Sequence, residues 1–111
     1  MSELETIVAT LGVERSASLF HSILPLINMR RYELLECLHN QDWESAAQYA
    51  HSLLATGHLL ASKTLLDQLV LIENSAISII QNPAFIRQVE AELAASIQQL
   101  TQYSHTLDAK L

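Results

Sequence analysis

Apolar side chains recur at every third or fourth position along almost the whole chain, the period of an α-helix rather than the alternation of a half-buried strand. The stripes are Leu4, Ile7, Val8 and Leu11; then Phe20, Ile23, Leu24, Ile27, Leu34, Leu35 and Leu38; then Leu65, Leu66, Leu69, Ile72, Ile79 and Ile80; and last Phe85, Val89, Leu93, Ile97 and Leu100. Half of the residues are hydrophobic but only 5% are aromatic, and two Gly and two Pro supply few tight turns, so a sandwich or barrel is disfavoured. At 111 residues the chain is long enough for one core and too short for two. The expectation is an all-α single domain over residues 1–111, an antiparallel four-helix bundle with a short extra N-terminal helix.

The breaks between stripes carry helix-end chemistry. Ser2 with Glu5 fits a capping box, and Gly12 is suited to close a short first helix. A second pattern runs from Ser16 to His39 with Pro25 inside it, where proline should kink or divide the helix. Asn40 to Asp42 form the next break, with Asp42 as N-cap of a third helix that starts at Trp43. A fourth helix follows Ser62 or Lys63 and reaches Ile80, and Asn82-Pro83 reads as N-cap and first position of the last helix.

Six Lys and Arg against twelve Asp and Glu give a formal net charge of −6, which leaves no cationic footprint for nucleic acid or an anionic membrane. A single cysteine, Cys37, cannot form an intramolecular bridge, and the reading is a reducing, cytoplasmic setting. Residues 45–62 bear no formal charge, but Gln48, His51, Ser52, Thr56 and His58 interrupt them, so the segment reads as a helix with a polar face.

At helical pitch Ala46, Tyr49, Leu53, Gly57 and Leu60 fall on one side of the third helix, which makes that side the core. His51 points away from it. Glu44, Gln48, Ala55, His58 and Ser62 surround it, with Ala47 and Leu54 flanking. The small side chains of Ala47 and Ala55 would let another protein approach an exposed imidazole closely.

Tyr49-Ala50-His51-Ser52-Leu53 is followed by Leu65, fourteen positions after the histidine, and by Ile72-Glu73 at the twenty-second; Leu19-Phe20, Leu24-Pro25 and Asp42-Trp43 precede it in ungapped order. Over roughly residues 16–75 this resembles the histidine phosphotransfer (HPt) family, whose signature runs A-H-x-L-K-G. The resemblance implies that His51 accepts a phosphoryl group and exchanges it with an aspartate on a receiver domain, as a phosphocarrier rather than a conventional enzyme. It further implies a response-regulator receiver domain, or a hybrid histidine kinase, as partner; a contact face of Ala47, Gln48, Leu54, Ala55 and His58; no metal or cofactor in the chain itself; and a monomer.

The family's Lys and Gly are Leu54 and Ala55 here. The Lys sits near phosphoryl oxygens, a task leucine cannot perform. Lys63 is badly placed to replace it, and Arg30 or Arg31 on the second helix is the candidate to do so. Two other readings follow: a pseudo-HPt adaptor that binds a receiver or kinase domain without carrying phosphate, and a helical dimerisation module.

The remaining polar residues suggest less. His58 reads as a rim residue, and His21, His39 and His105 have no role. Asp67 and Glu73 read as solvated charges, with a cross-helix pair as the alternative for Glu73. Cys37 reads as a small buried residue, Trp43 as an end plug, and Arg30-Arg31 as a solvated pair, with a contact to phosphate or a partner as the alternative.

Overall fold

The computed structural model describes residues 3–60 and 62–111. The regular structure among these residues is all helical, without a strand: α1 (Glu3–Leu11), α2 (Val13–His39), α3 (Trp43–Leu54), α4 (Gly57–Leu60), α5 (Lys63–Glu73), α6 (Ile77–Ile80) and α7 (Pro83–Asp108). Ser2 of the expected capping box lies outside the described residues.

A single residue separates α1 from α2. Gly12 has φ 86° and ψ 165°, a region that residues with a Cβ scarcely enter. Its N–H closes α1 on the Val8 carbonyl at 2.8 Å, and its own carbonyl accepts from Ser16 N–H at 3.1 Å to open α2. The second helix then runs through Pro25 undivided. Proline removes one helical donor, but Pro25 lies on the exposed face, where solvent can serve the orphaned carbonyl.

The third and fourth helices are shorter than their apolar patterns. In place of one helix from Trp43 past Leu60, α3 stops at Leu54 and a single turn resumes at Gly57. At the break the Leu53 carbonyl accepts both the Thr56 N–H (3.0 Å) and the Thr56 hydroxyl (2.9 Å), a tighter pattern than the α-helical one. Gly57 lets α4 and α5 approach closely here: a Cβ would stand 2.7 Å from Leu66 Cδ2, and that side chain would have to shift. Likewise α5 ends at Glu73 rather than continuing to Ile80, because Ser75 adopts φ 53° and turns the chain into α6. Ile80 is buried, whereas Ile77 and Ile79 are each 44% exposed, so Ile79 is not the core residue its spacing suggested.

The caps expected at Asp42 and Asn82 form: Asp42 Oδ1 accepts from Ser45 N–H at 3.2 Å and Asn82 Oδ1 from Ala84 N–H at 2.9 Å, with Pro83 opening α7; Ser62, not singled out as a cap, also accepts through Oγ from Leu65 N–H at 3.2 Å.

Helix α2 packs against α3 on one flank and α7 on the other, α3 packs against α5, and α1 covers α2 and α4. Phe20 meets Tyr103 edge-on with centroids 6.1 Å apart, and His21 Nε2 sits 2.9 and 3.0 Å from the two carboxylate oxygens of Asp108. The start of α2 therefore lies against the end of α7. Phe20, Ile27, Leu34, Leu38, Leu53, Leu65, Leu69, Ile72, Leu93 and Leu100 are fully buried within one connected cluster.

Gly12→Ala should lower stability by about 1–3 kcal/mol purely through backbone strain. Nothing lies within 4 Å of the added methyl group, so no clash confuses the result. Chemical denaturation measures it, and an unchanged midpoint would refute the account of the α1–α2 joint.

Candidate functional site around His51

Helix α3 carries the site because its two faces differ. Ala46, Ala50 and Leu53 are buried, and this anchors the helix so that Gln48, His51 and Ala55 face outward. The His51 side chain is 76% exposed. Ala47 is half-buried, and Ala55 is the exposed C-cap residue, donating its N–H to the His51 carbonyl at 3.2 Å. Leu54 is half-buried and packs against the core. The side chain of His58 lies outside what the structure describes.

On one flank α5 returns alongside α3 and α4, bringing Leu66 to Gly57 and Glu73 to His51. The Glu73 carboxylate stands 3.4 Å from His51 Nδ1, with its own side chain 37% exposed. Glu73 is thus the cross-helix partner of the histidine, twenty-two residues away in the chain.

On the other flank the sequence offers Arg30 or Arg31 as a cation, but not the contacts that place it. Arg30, expected to be solvated, is half-buried between α2 and α3. Its Nε donates to Ser52 Oγ at 3.3 Å, its Nη1 to Glu33 at 2.7 Å, and its guanidinium lies 5.6 Å from the Tyr49 ring centroid. Tyr49, placed by its spacing on the core side, is only half-buried, and its hydroxyl acts as a donor toward the Glu33 carboxyl in setting that group's acidity. That bond is the largest influence on the Glu33 carboxyl; burial opposes it and Arg30 assists it, and the net result holds the carboxyl below its usual range. The same bond pushes the Tyr49 hydroxyl up. Arg31, by contrast, lies over the Tyr32 ring at 5.2 Å, and its Nε is buried without a partner.

A cleft of about 320 Å³ opens next to this network, lined by Glu33, Glu36, Cys37, Asn40, Asp42, Ser45 and Tyr49. Burial, and then the carboxylates of Asp42, Glu36 and Glu33, push the Cys37 thiol up, which keeps it protonated and a poor nucleophile at neutral pH. A second cleft, about 400 Å³, lies at the end of the molecule between Leu38, Trp43, Pro83, Ile86 and Arg87. Trp43, half-buried there, is about 12 Å along α3 from His51. Among the described residues no group of three or more His, Cys, Asp or Glu is placed to hold a metal ion, and no helix is long and apolar enough to cross a membrane.

Compared with known proteins, the chain matches no family model, no curated protein and no solved structure.

Tyr49→Phe should raise the Glu33 pKa, because it removes the bond that lowers it most. A depressed carboxyl contributes stability above its unfolded-state pKa and loses that contribution as pH falls through the folded value. The variant should therefore lose its share at higher pH during acid unfolding. Carbon-13 titration of the Glu33 carboxyl checks this, and an unmoved midpoint would remove Tyr49 from the network.

Proposed function

We propose that the chain is a histidine phosphotransfer module of a cytoplasmic two-component phosphorelay, exchanging a phosphoryl group between His51 and the aspartate of a receiver domain. The fold that goes with it is an antiparallel four-helix bundle, formed by α2, α3 with α4, α5 and α7, with α1 as the extra N-terminal helix. The observation that carries the reading is an outward-facing imidazole with a carboxylate 3.4 Å from its Nδ1.

A neutral histidine has one nitrogen protonated and the other bearing a lone pair, and the partner of one nitrogen selects the role of the other. In this reading the proton sits on Nδ1, the nitrogen nearer Glu73, and the Nε2 lone pair is the nucleophile. It attacks the phosphorus of an aspartyl phosphate in line; the N–P bond forms as the bond from phosphorus to the acyl oxygen breaks, and the aspartate leaves as carboxylate. The Nδ1 proton stays in place, so the phosphorylated ring is an imidazolium whose charge Glu73 balances. The chain contributes orientation and this balancing charge, and the receiver domain contributes the acidic pocket and its Mg²⁺.

The packing of Leu54 against the core favours a second reading. The site then has no cation at the position after Leu53, and the module would act as an adaptor that binds receiver domains without carrying phosphate.

His51→Gln should abolish label transfer from a phosphorylated receiver while leaving thermal unfolding nearly unchanged, since surface substitutions usually stay within about 0.5 kcal/mol. Glu73→Gln should slow transfer by about three- to tenfold, because an ion pair this exposed is worth roughly 1 kcal/mol rather than the larger value of a buried one. The adduct should be acid-labile and base-stable. Retention of label by His51→Gln, or an acid-stable label, would refute His51 as acceptor. Binding of receivers by a wild-type chain that takes no label would select the adaptor.

Ala55→Trp should abolish binding to receiver domains, because a bulky ring beside His51 blocks close approach, whereas Gln98→Ala on α7 should not. Titration against a panel of receivers measures both. Normal binding by Ala55→Trp, or self-association through this face, would favour the dimerisation module.

A further inference from the structure

A phosphoryl group at His51 would arrive in a poor electrostatic setting. It would bring nearly two negative charges to a face that already holds Glu73 against Nδ1 and Glu44 two turns back on α3, in a chain of net charge −6. Leu54 supplies no charge. Lys63 lies at the far end of α5, at the turn from α4, and Arg31 is directed over Tyr32.

Arg30 is differently placed. It is the guanidinium that crosses from α2 to α3, and the residue it meets is Ser52, the chain neighbour of His51. Its two hold points are unequal. The bond to Glu33 is short at 2.7 Å and joins two charged groups, whereas the bond to the Ser52 hydroxyl has an uncharged acceptor and is long at 3.3 Å. A guanidinium has five N–H donors, and those not used on Ser52 and Glu33 have no protein partner among the described residues. Glu33 and the Tyr49 ring hold Arg30 at the rim of the site, and Ser52 gives it a weak, exchangeable contact next to the histidine.

Resting on the phosphotransfer reading, the geometry points to Arg30 as the phosphoryl-binding residue: its guanidinium exchanges Ser52 for the phosphoryl oxygens when His51 is phosphorylated. A phosphoryl oxyanion is a stronger acceptor for a guanidinium than the uncharged hydroxyl given up, and the planar fork suits two phosphoryl oxygens at once. Tyr49 and Glu33 are positioning residues that keep the guanidinium on this side of α2. Ser52 holds it when the ring is bare.

The test is to load His51 with phosphoramidate, whose P–N bond breaks with release of ammonia as the Nε2–P bond forms, and to titrate the phosphohistidine by phosphorus-31 NMR. His51→Gln identifies the resonance among those of other histidines. A nearby cation favours the phosphoryl dianion, so Arg30→Met should raise the second phosphoryl pKa by about one unit. Arg30→Lys should restore most of that shift, since it keeps the charge and loses the fork. Thermal unfolding of all variants separates this effect from packing, which would move melting and leave the phosphoryl titration alone. If His51 takes label and Arg30→Met titrates like the wild type, the Arg30 inference falls and the phosphotransfer reading stands. Failure of the folded wild type to take label at His51, from phosphoramidate or from a phosphorylated receiver, overturns both.

Discussion

The apolar face of α2 is the surface on which the rest of the molecule is assembled. Phe20, Ile27, Leu34 and Leu38 are all at or near zero exposure over some five turns, and the helix meets α3 along one side and α7 along the other. Burying a large aliphatic or aromatic side chain contributes about 1.5–3 kcal/mol, far more than any exposed ion pair here. Position along α2 therefore sets the register of its neighbours. Arg30 falls opposite Tyr49 and Ser52, while His21 falls opposite Asp108 at the other flank. The polar contacts follow from apolar packing and do not direct it.

Where local chemistry decides structure, the sequence was readable. Asp42, Ser62 and Asn82-Pro83 each start a helix with the hydrogen bond their residue types provide, and Gly12 occupies a conformation that glycine alone tolerates well. Periodicity gave the helical class and most of the buried stripe. It gave the wrong ends for two helices, because it reports which face is apolar and not where the backbone turns. Leu59 and Leu60 are buried after the break at Thr56 just as a continuous helix would bury them, and Ile80 is buried after the turn at Ser75. Pro25 does not divide α2, for a related reason: the cost of its missing donor depends on whether its face meets solvent, which composition does not show.

The site was readable in part. The outward direction of His51 follows from helical pitch alone, because Ala46, Ala50 and Leu53 fix the inward side. Its pairing with Glu73 required knowing how α5 lies on α3. The network of Arg30, Glu33, Tyr49 and Ser52 was hidden because its members are spread over two helices and no short motif joins them. Arg30 and Arg31 are neighbours in sequence with different fates, one reaching α3 and the other lying over Tyr32. About 100° of rotation separates adjacent residues of a helix, and that rotation decides between them.

The turn at Ser75 has a consequence for the dynamics of the site. By ending α5 at Glu73 it leaves an 11-residue helix, shorter than the length at which a helix persists by itself in water. Its retention depends on Leu65, Leu69 and Ile72 staying docked, while the 27-residue α2 is held on both flanks. Cooperative opening of such a segment costs less than global unfolding. Whenever α5 undocks, Glu73 leaves with it and His51 remains on α3, so the carboxylate's hold on the imidazole lasts only as long as α5 stays docked on α3.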